Sequence, residues 1–149
     1  MNKLFGEIFT EVEKAETREQ KIAILKQNKS LALMQFLKIY VDDTVVFDLP
    51  EGAPPYREND RPDGMTESSL QLEIRRLYPM FKTSGLKPIQ KELRFISTLE
   101  ALAPVDAKLL IQLKDKEIPS ISRKMIEEEF PELKQVDIPR GEQKIIHPY

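Results

Sequence analysis

Between Glu73 and Arg94 the chain sets Arg75, Arg76, Lys82, Lys87, Lys91 and Arg94 against only Glu73 and Glu92. Lys108, Lys114, Lys116, Arg123 and Lys124 follow as a second basic group, beside a turn that carries Ser120 and Ser122. Cations grouped in this way neutralise phosphate oxygens, and hydroxyls and free amides at a helix start can hydrogen-bond the same oxygens. The candidate nucleic-acid contacts are therefore Arg75, Arg76, Lys82, Lys87, Lys91, Arg94, Lys114, Lys116, Ser120, Ser122, Arg123 and Lys124. A plain solvated face is the competing reading, since a chain that is 32% charged must put its lysines somewhere.

Other chemistry finds less support. Arg61-Pro62-Asp63-Gly64 is set out like the K-x-D-G of nucleotidyltransferases, in which a Lys amine attacks the nucleotide. A guanidinium stays protonated and is a poor nucleophile, so the stretch reads as a Pro-Asp-Gly turn. Gln71 to Tyr78 loosely follows the Q-x-x-h-x-x-a-a pattern by which replication proteins dock on sliding clamps, but its apolar residues also make a core stripe at helical spacing. Glu127, Glu128 and Glu129 read as helix surface, and His147 has no Ser or Asp near it in sequence to suggest a triad. No catalytic residue is assigned.

With no Cys and a single His, the chain has neither disulfides nor a thiolate or His-rich metal site, and no metal or cofactor is expected. Its net charge of −2 counts against wholesale nucleic-acid binding and leaves room only for a local patch. The first residues, MNKLFGEIFTEVEK, contain no long apolar run and carry Glu7, Glu11 and Glu13. Neither a signal peptide nor a membrane span is expected there, and the expected location is the cytoplasm.

The elements that must position these residues read as helices. Leu4, Phe5, Ile8, Phe9 and Val12 form one stripe on a first helix from about Asn2 to Ala15. Thr17 with Gln20 makes a capping box for a second, which Asn28 can close in a left-handed conformation. Ser30 caps a third, with Leu31, Met34, Leu37 and Val41 inward and Leu33, Phe36 and Tyr40 widening its apolar face. A fourth helix starts at Thr66 or Ser68 and keeps Leu70, Ile74, Leu77, Tyr78 and Phe81 on one face. Pro88 begins a fifth with Ile89, Leu93, Ile96 and Leu99 inward, and Pro104 begins a sixth with Leu109, Leu110 and Leu113 apolar. Ser122 caps a short seventh that ends before Pro131.

The expected fold is all-α: a single bundle of about seven helices over residues 1–133, with an acidic, Pro-rich loop at 42–65 and an irregular tail at 134–149. The loop reads either as an ordered excursion over the surface or as a mobile segment, and the tail as packed or free.

Two separated pieces together resemble the all-helical N-terminal DNA-binding domain of phage-type ATP-dependent DNA ligases. The first is Ile8 to Tyr40, IFTEVEKAETREQKIAILKQNKSLALMQFLKIY, with its Thr-capped second helix and Leu-rich third. The second is Leu102 to Leu133, where a helix mixing Leu and basic residues is followed by a turn and a short helix ending in Phe130-Pro131-Glu132-Leu133. The chain also resembles small uncharacterised proteins of tailed phages that share LPEGAPPY, here Leu49 to Tyr56.

The resemblance implies a non-catalytic phage accessory protein acting on duplex or nicked DNA in replication or repair, in the cytoplasm of an infected bacterial host. It implies no ligation, because the matching pieces belong to the N-terminal domain alone. In the ligases the turn carries a Gly that lets backbone amides approach phosphate, and here Glu117-Ile118-Pro119-Ser120 stands in its place. The alternative expectation is an adaptor that has lost DNA binding and docks a phage or host replication protein through the acidic loop or the tail.

Overall fold

The computed structural model describes residues 3–139. Seven α-helices run through them: α1 Phe5–Lys14, α2 Arg18–Gln27, α3 Leu31–Val41, α4 Leu70–Glu73, α5 Pro88–Ala101, α6 Pro104–Lys114 and α7 Arg123–Glu129. Three 3-10 turns, Ile74–Arg76, Tyr78–Met80 and Pro131–Gln135, supplement them. Among the described residues extended pairing is limited to one antiparallel bridge, Phe47 to Phe81, so the all-α expectation holds.

Local chemistry sets most of the helix limits. Thr17 accepts from the Gln20 amide at 3.2 Å while the Gln20 side chain accepts from the Thr17 amide at 3.3 Å, a complete capping box for α2. Ser30 and Ser122 accept from Leu33 and Met125 and start α3 and α7. Pro88 and Pro104 occupy first helical positions, where a missing N–H has no consequence. One expected limit, one closing conformation and one buried position differ. The first helix begins at Phe5 rather than Asn2, with the Leu4 amide held by Glu7 at 2.9 Å. Asn28 closes α2 at φ −105°, outside the left-handed region. Leu31, at the start of α3, is exposed, and Leu33, Phe36 and Ile39 lie inside with Met34 and Leu37.

The expected fourth helix is broken. After one turn the chain passes into 3-10 geometry, and Pro79 removes the amide that would continue the helix. Leu70, Ile74, Leu77 and Phe81 of the expected stripe are buried and Tyr78 is half-buried, with Met80 joining the core, so the apolar pattern holds for most of the burial and fails for continuity.

One hydrophobic cluster runs from Phe5 and Phe9 through Phe36 to Phe95, Leu110 and Phe130. At its centre α1 crosses α6 closely: a Cβ on Gly6 would lie 2.6 Å from the Val105 carbonyl carbon. Asp106, fully buried, ties the crossing by accepting from the Gly6 amide at 2.7 Å and from the Leu70 amide at 3.0 Å. A single carboxylate thus serves the first turns of α1 and α4, and burial raises its pKa. Packing continues past Leu133 to Ile138, and residues 140–149, with His147, lie outside the described part.

Candidate functional site: the face of α5 and the strap beside it

The acidic Pro-rich segment is an ordered strap. Val45 and Phe47 are buried, and Phe47 stacks edge-on against Phe81 with ring centroids 5.1 Å apart. Beyond them the strap is pinned to α5 and the end of α6. Asp48 accepts from Lys91 at 2.8 Å, the Pro50 carbonyl accepts from Lys114 at 2.8 Å, and the Gly52 amide donates to Asp115 at 3.1 Å. The Arg57 amide donates to Glu100 at 2.9 Å.

These anchors turn α5 about its axis relative to the sequence expectation. Its inward face is Lys91, Phe95 and Leu99, and Lys91 is 2% exposed. Ile89 and Leu93, expected inside, are 59% and 60% exposed. They stand one turn apart, with half-buried Ile96 continuing the stripe.

Lys114, Lys116 and Arg123 of the second basic group are engaged within the fold. Lys114 is buried, bonded to Pro50 and Asp115, and lies 5.9 Å from the centre of the Phe95 ring. Lys116 occupies a left-handed position at φ 57°, the place in a Schellman ending that Gly usually fills. Its amide donates to Leu113 and the Glu117 amide to Gln112, both at 3.0 Å, which completes the motif. The Lys116 ammonium reaches the end of α3, donating to the carbonyls of Ile39 at 2.6 Å and Asp42 at 2.9 Å. Arg123 donates to the carbonyls of Tyr40 at 2.9 Å and Val41 at 3.2 Å, and pairs with Asp43. With the Asp42 amide on Lys38, all four terminal carbonyls of α3 have partners. Burial, then the Arg123 charge, lowers the Lys116 pKa to about 8.

Ser122 is spent capping α7, and the Ser120 carbonyl accepts from Lys21 at 3.0 Å. The turn at Pro119 and Ser120 borders a depression of about 110 Å³ shared with Gly6, Lys108 and Gln112, where Glu13 faces the same space. Of the second group only Lys108 and Lys124 remain exposed. Of the first, Lys91 is inside, while Arg75, Arg76, Lys82, Lys87 and Arg94 are exposed, Arg76 pairing with Glu73 at 3.3 Å. Lys91 and Lys114 are buried and add nothing to an exposed cationic face.

The other sequence motifs resolve into structure. Pro62 to Met65 closes a turn with Gly64 at φ 88°, as a type II turn requires, and Arg61 pairs with Glu67 at 3.2 Å. Ile74 and Leu77 of the clamp-like stretch are buried. Glu128 and Glu129 hold Arg18 at 2.9 and 3.0 Å. No group of three metal-ligating side chains, and no helix long and apolar enough to cross a membrane, occurs among the described residues.

One concave feature went unread in the sequence. Between strap and α5 runs a groove of about 410 Å³, with Leu49, Pro50, Ala53 and Pro54 on one wall and Phe95 and Ile96 on the other. Glu51 and Glu92 stand at its rim and Lys114 in its floor. The signal was present, since Pro-rich apolar walls seldom lie free, but it lacked the location of the facing wall.

No curated protein and no solved structure matches this chain. Its membership is nevertheless defined: over residues 8–120 it matches, and it belongs to, the family of unknown function DUF6433.

Proposed function

We propose that this protein is a non-catalytic adaptor that docks a protein partner through the outer face of α5, in the setting of phage DNA replication or repair that the ligase resemblance implies. The observation that carries the reading is the inversion of α5. A lysine lies inside against Asp48 at a desolvation cost, while Ile89 and Leu93 stand uncovered in solvent. Large apolar side chains adjoining a groove are the usual signature of a contact surface. The withdrawal of Lys91, Lys114, Lys116 and Arg123 into the fold further weakens the case for a phosphate-binding face.

The test is retrieval of partners from infected cells by tagged wild-type protein and by an Ile89→Asp/Leu93→Asp variant. A partner that survives nuclease and high salt, and is lost with the variant, is the expected result. Recovery of nucleic acid alone, or an unchanged partner on the variant, overturns the reading. Both positions are exposed, so the variant keeps the core intact.

DNA association is the second reading, favoured by the exposed Arg75, Lys82, Lys87 and Arg94. It requires binding to duplex or nicked DNA that falls steeply with salt and weakens when these cations are reversed to Glu.

A further inference from the structure

The groove beside the α5 stripe has a chemistry of its own. Both walls are apolar, and Pro54 and Pro55 hold the strap extended so that the wall is preformed. The floor is polar at one point. Lys114 Nζ has three N–H groups, and its partners among the described residues are the Pro50 carbonyl and Asp115. The Lys114 side chain is only 2% exposed and lies 5.9 Å from the centre of the Phe95 ring, so the floor is closed. Asp115 already balances the Lys114 charge, so Glu51 and Glu92 leave the rim net negative.

Resting on the protein-docking reading above, we infer that this groove holds an extended segment of the partner protein in which a Lys or Arg lies between apolar residues. The apolar side chains fill the space between Pro54 and Ile96. The cation meets Glu51 and Glu92. At about 410 Å³ the space takes a few side chains and excludes a folded domain. An acidic segment would bring like charge to the rim, and a wholly apolar one would leave both rim carboxylates facing an apolar surface.

A random peptide display library selected on the full-length chain tests this directly. Enrichment of Lys- or Arg-bearing apolar peptides is expected. Their affinity should fall at least tenfold on Ala53→Arg, which fills the groove mouth, and on the double variant Glu51→Lys/Glu92→Lys. Reselection on the double variant should return Asp- or Glu-bearing apolar peptides. No enrichment, acidic winners on the wild type, or winners that bind all three proteins equally overturns the assignment. Thermal unfolding of each variant checks that the fold is retained. If a protein partner is retrieved from cells but still binds the groove variants, the adaptor reading stands and the groove assignment falls.

Discussion

Lys116 Nζ lies 2.6 Å from the Ile39 carbonyl oxygen, so the residue that ends α6 also ends α3. The left-handed backbone at Lys116 costs about 1–2 kcal/mol for a residue with a Cβ. The Lys116 ammonium satisfies the Ile39 and Asp42 carbonyls, and a buried carbonyl left without a partner costs about 1–3 kcal/mol. Lys116→Met should therefore lose about 2 kcal/mol in chemical denaturation at pH 7, by losing the bonds and keeping the strain. Lys116→Gly should be about 1 kcal/mol more stable than the Met variant, because it relieves the backbone.

The same residue gives a pH signature. Its folded pKa of about 8 lies below the ordinary 10.5, so between those values the unfolded chain binds more protons than the folded one. Wild-type stability should rise relative to Lys116→Met as pH increases from about 8 towards 10.5. A difference that stays flat over this window would show that the ammonium is not held as described.

For the Lys91 and Asp48 pair, the two single substitutions should differ sharply. Asp48→Ala strands a buried ammonium and should cost about 3 kcal/mol or more. Lys91→Met replaces it with an apolar chain of similar length and leaves a carboxylate that is 35% exposed, so its effect should stay within about 1 kcal/mol of zero. Paired denaturation curves at one pH decide this, and equal losses would contradict it.

At Gly6, substitution by Ala has to part α1 from α6. Helix propensity favours Ala by about 1 kcal/mol. A methyl group 2.6 Å from the backbone of Val105 forces a shift whose cost is about 1–3 kcal/mol. The Asp106 bond to the same residue is disturbed as well, so a net loss is expected; an unchanged or raised melting temperature would show that the crossing is looser than drawn.

Asp106→Asn should lose about 1–3 kcal/mol near neutral pH, because an amide cannot accept from both Gly6 and Leu70 without turning its NH2 towards one of them. The raised pKa of Asp106 means that the folded state holds its proton to higher pH than the unfolded state. Its protonation therefore contributes stability that is full below about 3.8 and fades as pH rises through the raised value. The gap between wild type and Asp106→Asn should be wider in acid than at pH 7.

What could be read from the sequence was what depends on near neighbours. Thr17 with Gln20, Ser30, Ser122, Pro88 and Pro104 mark helix starts through contacts within a few residues, and the structure keeps each. The faces of α5 could not be read in this way. Ile89, Leu93 and Ile96 form as regular a stripe as the one containing Phe95 and Leu99, and the choice between them is made by Asp48, 43 residues away. The basic turn failed for a related reason. Lys116 and Arg123 look like surface cations until α3 is placed beside them, 77 and 83 residues back in the chain. Pro79 was a local signal that the apolar pattern overrode.

The strap between α3 and α4 cannot fasten until α5 and α6 are in place, for its anchors lie 43 to 64 residues further along. Closing loops of that length precedes any gain from the contacts. The strap is also one wall of the groove. An occupant would hold that wall shut, and its arrival would register as slowed hydrogen exchange at the Gly52 and Arg57 amides, which donate to Asp115 and Glu100, while the amides of α3 keep their rates.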